Sequence, residues 1–356
     1  MSRYDLGRAD LATLLAGERP YRVDQVFDAL YQRLVEPAEI TELPKALRSR
    51  LQEAPELAAA FTCVAEKVAD RGTTLKWLLE AGDGRRIETV LMRYRDRTTV
   101  CVSSQAGCAL GCRFCATGDA GFYRHLNSGE ILEQVVIAAR RCKSEGWGQL
   151  GNVVLMGMGE PLANFERVWT AVEAMNRDLG LGARHVTIST VGVVPGILRL
   201  ASKPLQVNLA VSLHAANDAL RDELVPINRR YPLAKLMEAC ELYRATTKRR
   251  ITFEWACIDG VNDRADDAYE LAALAKRLRA HVNLIPLNPT PGGLSRGLRG
   301  SPRLRVLSFQ AWLNEAGVNA TIRQNRGRSI SAACGQLAAP VALGAVPARS
   351  RTLESR

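Results

Sequence analysis

The chain has 356 residues, enough for one barrel-sized domain with a small appendage or for two equal domains. Lys and Arg total 48 against 37 Asp and Glu, a formal net charge of +11. This excess favours a polyanion such as RNA or DNA over an acidic metabolite as partner, although a well-solvated surface explains it equally well. Three of the nine cysteines lie within eight residues, which excludes an evenly spaced secreted disulfide framework and favours metal ligation in a reducing compartment.

The N-terminal sequence has no apolar core ahead of a small-residue cleavage site, so it does not read as a signal peptide. No stretch reaches the ~20 apolar residues that a bilayer-spanning helix needs. We therefore expect a cytoplasmic protein that does not enter a membrane.

Residues 1–55 contain short apolar-periodic segments separated by prolines. Val23, Val26, Phe27 and Leu30 fall on one face of a helix. This pattern predicts a small helical accessory domain.

From about residue 61 the pattern changes to short alternating runs bounded by turns. FTCVAEKV, TLKWLLEA, RIETVLMRY and TTVCVSS follow one another, and Gly72 and Gly84 close two of the turn dipeptides. The pattern predicts antiparallel hairpins, and we assign 56–93 to a β-hairpin extension.

Beyond residue 125 short β-rich runs alternate with long amphipathic segments. The runs are NVVLMG, HVTIST, VNLAVSLH, RITFEWA, HVNLIPL and NATIR. This order predicts parallel strands with crossover helices, hence the α/β class, as an open sheet or as a full or partial barrel. Chemistry in such folds collects at the C-terminal ends of the strands. Residues 338–356 lack apolar periodicity and are predicted to be a disordered tail.

Cys108, Cys112 and Cys115 place three thiols at gaps of three and two residues, with glycines that let the backbone curl. A [4Fe–4S] cluster normally takes four cysteines, so three leave one iron open. The amino and carboxylate groups of S-adenosylmethionine are suited to that iron, and reduction of the cluster then cleaves the sulfonium to a radical. The alternative is a zinc site in which His125 completes a Cys₃His set.

Polar residues recur at the ends of successive predicted strands. They are Gly159 and Glu160 after NVVL, Ser189, Ser212 and His214, and Asn288. If they converge on one face they form a ligand pocket, in which Glu160 accepts hydrogen bonds from a ligand amine. Individually each is also explained as a tight turn, a helix cap or a hydrogen-bonded core histidine.

At these residues the sequence resembles the radical S-adenosylmethionine family, and within it the RlmN/Cfr branch of RNA adenine methyltransferases. The shared motifs are RIETV at 86–90, CVSSQAGC at 101–108, GMGEP at 157–161, SLH at 212–214, NP at 288–289 and AACGQL at 332–337. The resemblance covers nearly the whole chain. It implies a partial (β/α)6 barrel over 94–330 and a catalytic cysteine loop at 331–337.

The resemblance also implies roles for individual residues. Cys108, Cys112 and Cys115 become the cluster ligands, and the S-adenosylmethionine contacts become Gly159, Glu160, Ser189, Ser212, Leu213, His214 and Asn288. Cys334 becomes the cysteine that carries the methyl group, Cys101 its resolving thiol through a transient disulfide, and Glu88 the proton acceptor. The four remaining cysteines, Cys63, Cys142, Cys240 and Cys257, are predicted to be packing residues.

In the family mechanism two S-adenosylmethionine molecules are used per turnover, because the electron-poor C2 of adenine does not attack a methyl cation equivalent directly. The implied product is 2-methyladenosine in the peptidyl-transferase region of 23S rRNA and in tRNA next to the anticodon. A Cfr-type methylation at C8 shares the same motifs, and a non-catalytic zinc-dependent RNA-binding module is the alternative from another class.

The resemblance implies a monomer that takes electrons from a protein such as a flavodoxin. We expect the N-terminal helical domain to contact RNA phosphates, since folded RNAs are read largely by shape and backbone. The candidate residues are Arg19, Arg22, Lys45, Arg48 and Arg50. A solvated helix face explains the same residues without RNA.

Overall fold

A computed structural model describes residues 2–338 of the chain. The N-terminal part holds three helices, α1 (Arg8–Leu14), α2 (Tyr21–Tyr31) and α3 (Lys45–Glu53). The apolar face predicted for α2 is confirmed, because Val26, Phe27 and Leu30 are buried and Val23 is half-buried. Pro20 stands at the N-cap of this helix. The core of the three helices is continuous with that of the barrel, and the predicted domain boundary at residue 55 stays a prediction.

The predicted hairpins are four antiparallel strands that lead into the barrel. They are β1 (Phe61–Ala69), β2 (Thr74–Ala81), β3 (Arg86–Arg93) and β4 (Thr98–Cys101). The last of them, β4, pairs antiparallel with β3 on one side and parallel with β7 (Asn152–Leu155) on the other. This strand therefore joins the hairpin extension to the parallel part of the sheet.

The parallel part contains six strand–helix units and a final strand. Its further strands are β8 (Val186–Thr190), β9 (Asn208–Ser212), β10 (Ile251–Cys257), β11 (His281–Pro286) and β12 (Ala320–Ile322). Its helices are α4 (Ala116–Asp119), α5 (Ser128–Ser144), α6 (Phe165–Arg177), α7 (Val194–Ala201), α8 (Asp218–Leu224), α9 (Leu233–Thr247), α10 (Ala265–Leu278), α11 (Pro291–Ser295) and α12 (Arg303–Glu315). A separate pair, β5 (Gln105–Gly107) and β6 (Phe122–His125), was not predicted.

Ten strands form one sheet in the order β1-β2-β3-β4-β7-β8-β9-β10-β11-β12. The parallel strands curl around a cavity of about 790 Å³, since inward side chains of β4 and of β7 to β12 line it together. Along β10 the sides alternate: Phe253 and Trp255 are fully buried on the outer face, whereas Thr252 and Glu254 line the interior. The α/β class and the partial barrel are confirmed.

Of the predicted tail, only Ala338 lies within the described residues, and the rest of 338–356 lies outside them. In the described part of the chain, no helix combines the length and apolar character needed to span a membrane. Three of the four cysteines predicted to pack, Cys142, Cys240 and Cys257, are buried. The prediction is wrong for Cys63, which is exposed. It lies on β1, an edge strand of the sheet whose residues between the two ends are exposed.

Candidate active site

Polar side chains from the carboxyl ends of the barrel strands line one cavity of about 150 Å³. The predicted residues that line it are Gly159, Glu160, Ser189, Ser212, His214 and Asn288. Parallel strands end at the same edge of a barrel, which is why residues far apart in sequence meet here. Leu213 is not among them: its side chain is fully buried, and its carbonyl accepts from Nε of Arg221 at 3.1 Å.

Two of the three clustered cysteines, Cys112 and Cys115, line the same cavity. The backbone enters their loop at Gly107, whose φ is +78° and whose Cβ, if present, would lie 1.9 Å from the carbonyl oxygen of Gly121. The amide of Cys108 donates to that same carbonyl at 2.8 Å. Glycine is therefore required at this position for the loop to turn inward.

Electrostatics couple the three thiols. Burial raises the pKa of Cys108 to about 12. Burial also raises the pKa of Cys112 well above its ordinary value, and negative charge at Cys115 and Cys108 adds to that rise. Thiolates in this position need a compensating positive charge, which an iron centre supplies. A set of three electrostatically coupled thiols, one buried and two half-buried, thus fits a cluster that leaves one iron open.

The zinc alternative requires His125 as the fourth ligand. His125 does not line the cavity; its Nδ1 lies 3.0 Å from Nε2 of Gln105. Within residues 2–338, no three His, Cys, Asp or Glu side chains surround a position for a single metal ion. The geometry gives the zinc alternative no support.

Glu160 is buried and held in one orientation. Its two carboxylate oxygens accept from the amides of Leu162 at 3.0 Å and Val191 at 2.9 Å. Burial raises the pKa of Glu160 to about 7. An ammonium group in the cavity would favour the ionised carboxylate, so the residue suits a ligand that carries an amine.

His214 lies in the cavity wall with a left-handed backbone, φ +59°. Its Nδ1 accepts from the amide of Ala256 at 3.0 Å. Its ring packs edge-on against Phe114, with the ring centroids 4.6 Å apart. Burial lowers the pKa of His214 to about 3, with the charge of Arg221 adding to the effect. The ring is therefore neutral, and since Nδ1 accepts, Nε2 carries the proton and is the donor available to a ligand.

A second, smaller cavity holds both cysteines that the family resemblance assigned to catalysis. Cys101, at the end of β4, and Cys334 line it together, and Cys334 also lines the cavity of about 150 Å³. Burial raises the pKa of Cys101 to about 12, and charge at Cys334 adds to the rise. All nine cysteines are free, so the disulfide predicted between Cys101 and Cys334 is not present in this structure.

The loop that carries Cys334 is held from the barrel side. Nδ2 of Asn288 donates to the carbonyl oxygen of Cys334 at 3.2 Å. The amide of Ala116 donates to the carbonyl of Gly335 at 2.8 Å, and Oγ1 of Thr117 donates to the carbonyl of Leu337 at 2.6 Å. The cysteine loop and the loop of Cys108, Cys112 and Cys115 are therefore fixed relative to each other.

Glu88 holds the same loop from the hairpin side. It is buried on β3, and its Oε1 forms an ion pair with Nζ of Lys76 at 2.6 Å. Its Oε2 accepts from the amide of Ala338 at 2.9 Å, while Nζ of Lys76 donates to the carbonyl of Ser331 at 3.1 Å. Lys76 was missed by the sequence reasoning, although a lysine inside the apolar run TLKWLLEA was a signal for a buried partner.

Arg323, directly after β12, was also missed. Its side chain lines three cavities: the barrel interior of about 790 Å³, the cavity of about 150 Å³, and the smaller cavity of Cys101 and Cys334. Negative charge at Cys334 raises the pKa of Arg323 above its usual range, with Glu254 and Cys101 adding to the effect. This guanidinium therefore offers positive charge to both thiols. No sequence motif indicates this role for Arg323, because only the folded structure brings it close to Cys101 and Cys334.

The comparisons with known proteins agree with this geometry. Residues 102–272 match the family model of the radical SAM superfamily. A probable dual-specificity RNA methyltransferase RlmN from Chloroflexus aurantiacus is 47% identical over 350 residues, which cover 94% of this chain and 92% of the relative. A dual-specificity RNA methyltransferase RlmN 1 from Myxococcus xanthus is 49% identical over 346 residues, covering 95% and 94%. The chain belongs to the RlmN family of the radical SAM superfamily.

A solved structure supports the same family fold. A radical SAM methyltransferase from Sphaerobacter thermophilus is 50% identical, has a TM-score of 0.90, and covers 96% of this chain and 100% of its own. The RlmN-family chain is accordingly a radical SAM methyltransferase. Membership of the superfamily implies a [4Fe–4S] cluster and S-adenosylmethionine, and the coupled thiols and the buried carboxylate described above fit both groups.

Proposed function

We propose that this RlmN-family chain methylates C2 of adenine in RNA, forming 2-methyladenosine in the peptidyl-transferase region of 23S rRNA and in tRNA next to the anticodon. Its relatives are named as dual-specificity RNA methyltransferases, and the net charge of +11 suits a polyanionic substrate. The observation that carries the proposal is the position of Cys334, which lines both the cavity of the clustered cysteines and the cavity of Cys101.

The proposed cofactor sites lie in the cavity of about 150 Å³. Cys108, Cys112 and Cys115 bind the cluster, and one iron remains for the amino and carboxylate groups of S-adenosylmethionine. Glu160 accepts from the amine, and Nε2 of His214 donates to the ligand. The proposed contacts to S-adenosylmethionine also include Gly159, Ser189, Ser212 and Asn288. The contact that the resemblance implies for Leu213 would be made by its backbone, because its side chain does not line the cavity. When bound, these groups supply a methyl cation equivalent and a deoxyadenosyl radical, one S-adenosylmethionine for each.

Cys334 carries the methyl group because adenine C2 is electron-poor and cannot displace it directly. Cys334 would take up the methyl group that the first S-adenosylmethionine supplies when bound, and the resulting S-methyl group would give one hydrogen atom to the deoxyadenosyl radical that the second supplies. That carbon forms the new bond to C2, which leaves the protein linked to RNA. The guanidinium of Arg323 lines the same cavity as Cys334 and places a positive charge beside this reaction.

Release of the product requires the residues at the hairpin side. Glu88 would accept the C2 proton, and the electron that the adduct gives up would return to the cluster when that group is bound. The thiol of Cys101 then gives up its proton as its sulfur attacks the sulfur of Cys334, the S–C bond breaks, and the carbon takes up a proton to become the methyl group. The resulting disulfide is transient and is reopened by a reductant. A flavodoxin-like protein is proposed as the electron donor to the cluster, and the chain is proposed to act as a monomer.

The decisive experiment uses the reconstituted protein with S-adenosylmethionine, reductant and 23S rRNA that lacks the modification. Mass spectrometry of the digested RNA should show 2-methyladenosine. A methyl group at C8 would establish the Cfr-type alternative instead, and unmodified RNA would refute both.

Two cysteine variants test the assigned roles. Cys101→Ala should still acquire a methyl on Cys334 and then stall as a covalent protein–RNA adduct that a denaturing gel retains, because only the last step is lost. Cys334→Ala should form neither adduct nor product. Cys63→Ala, which changes an exposed thiol outside both cavities, is the control and should behave as wild type. Normal turnover by Cys101→Ala would contradict the mechanism.

A further inference from the structure

Two further cavities lie next to one another beyond the cavity of Cys101 and Cys334. That cavity shares Asn325 and Arg326 with a neighbouring cavity of about 420 Å³. The neighbour in turn shares Arg328 with a cavity of about 750 Å³ at the start of α12. We call this last cavity the α12 groove. The three cavities are therefore neighbours, from the catalytic cysteines to the exposed arginines at the start of α12.

The α12 groove is cationic. Arg299, Arg303 and Arg328 line it, and all three are exposed. None of the ion pairs in the described part of the chain includes any of the three. The next cavity contains Asp70, whose carboxylate accepts from the amide of Gly327 at 2.9 Å and, like the other acidic groups of the described part of the chain, pairs with none of these three arginines. The positive charge of the groove therefore remains available to a ligand.

The basic residues predicted to contact RNA from the N-terminal helices are in a different situation. Arg50 forms an ion pair with Glu18 at 3.1 Å. Nη1 of Arg22 donates to the side chain of Gln25 at 2.7 Å and to the carbonyl of Glu42 at 2.9 Å. These internal partners compete with phosphate for two of the five predicted cations.

Two further donors in the α12 groove lack acceptors. Ser301 is 8% exposed, lines the groove, and its Oγ is buried without a hydrogen-bond partner. The helix begins at Arg303 after the N-cap Pro302, and no side chain caps it, so its first-turn amides keep their partial positive charge. A buried hydroxyl without an acceptor is costly, and a bound anion would satisfy it.

The backbone holds Ser301 in this position. Gly300 forms a β-bridge with Ile258, and a Cβ on Gly300 would lie 2.7 Å from the carbonyl oxygen of Leu287. The amide of Ser301 donates to the carbonyl of Cys257 at 3.2 Å. The donor set is thus built onto the ends of β10 and β11 and does not depend on flexible side chains alone.

We propose that the α12 groove binds a phosphodiester of the RNA substrate and directs that strand toward Cys334. This inference rests on the proposed function, because it assigns the RNA backbone contact of the same site. A helix N-terminus, a hydroxyl donor and arginines form a combination that favours phosphate over other anions. Backbone contacts of this kind set the register of the RNA and leave the base free for the chemistry.

The test compares RNA affinity among full-length variants. The probe is a transcribed 23S rRNA fragment that contains the peptidyl-transferase region, and the affinity is measured at several salt concentrations. Arg299→Gln combined with Arg303→Gln should weaken binding at least tenfold and lower the salt slope by about one, since the loss of one phosphate contact removes about one counterion. The matched control is Arg305→Gln, on the same helix but outside the groove, and it should bind as wild type.

Ser301→Ala separates a binding role from a packing role. Because its hydroxyl has no partner in the protein, its removal should leave the unfolding midpoint unchanged or slightly higher. RNA affinity should nevertheless fall about tenfold. Loss of stability with unchanged affinity would show that Ser301 has only a packing role and would overturn its assignment.

The remaining outcomes distinguish this inference from the proposed function. If wild type binds and methylates RNA while the groove variants bind equally well, the α12 groove assignment is wrong and the proposed function stands. If wild type neither binds nor methylates RNA, the proposed function fails and the groove assignment fails with it. Stabilisation of wild type but not of the double variant by inorganic phosphate, with unchanged RNA affinity, would assign the groove to a free phosphorylated ligand. Loss of flavodoxin binding with unchanged RNA affinity would assign it to an acidic protein, and either result overturns the proposal.

Discussion

The buried ion pair between Lys76 and Glu88 allows a quantitative prediction. Nζ and Oε1 lie 2.6 Å apart, and the two side chains are only 8% and 6% exposed. Lys76→Met keeps most of the side-chain volume but leaves the carboxylate without its charge partner and the carbonyl of Ser331 without its donor. Removal of one member of a buried pair costs about 3–5 kcal/mol, so we expect the free energy of unfolding to fall by that amount. Urea denaturation of the cofactor-free protein measures it.

A more exposed pair in the same hairpin provides the control. Arg86 and Glu80 also lie 2.6 Å apart, but their side chains are 27% and 31% exposed. Arg86→Met should cost at most about 1 kcal/mol, because water screens this pair. Replacing both buried partners, with Lys76→Met and Glu88→Leu together, should cost less than Lys76→Met alone. If Lys76→Met costs no more than Arg86→Met, the reasoning from burial is refuted.

Two further predictions concern the cavity of about 150 Å³ and the cysteine loop beside it. The folded-state pKa of His214, about 3, lies below its ordinary 6.5. Between these two pH values the folded protein binds fewer protons than the unfolded chain, so its stability decreases as the pH falls below about 6.5. His214→Gln should remove a component of up to about 1.4 kcal/mol per pH unit from that loss, measured by urea unfolding of cofactor-free protein between pH 7 and 5; parallel profiles would contradict this. Gly107→Ala should abolish iron incorporation on reconstitution, because its Cβ meets the carbonyl of Gly121. The control is Gly72→Ala, also at positive φ but in open space, and equal iron contents in the two variants would show that the close approach is unimportant.

The strands of the barrel were predictable because each buried strand is a short apolar run followed by an amphipathic helix. The same regularity placed Ser189 and Ser212 at strand ends, and the cavity they share follows from the parallel topology. The pair β5 and β6 was not predictable in this way. These strands are only three and four residues long, and their pairing serves the loop of clustered cysteines, so they carry little apolar periodicity.

The residues missed by sequence reasoning share one property: their partners are distant in the chain. Lys76 contacts Ser331, which is 255 residues away, and Arg323 affects Cys101 and Cys334 from the end of β12. Local patterns report which face of an element is buried but not which element covers it. A charged residue inside an apolar strand signals that a partner exists, and only the fold identifies that partner.

This long-range assembly explains the position of the hairpin extension. The sheet continues from the barrel through β4 into β3 and β2, which places Cys101 and Glu88 on neighbouring strands. The loop of Cys334 then lies between two supports, with Asn288 and α4 on the barrel side and Lys76 and Glu88 on the hairpin side. A barrel without the antiparallel strands would have the cavity for the cofactors but neither the hairpin support nor Glu88. The hairpin extension is therefore a wall of the candidate site, and substitutions within it should affect the chemistry of Cys334 as directly as substitutions in the barrel.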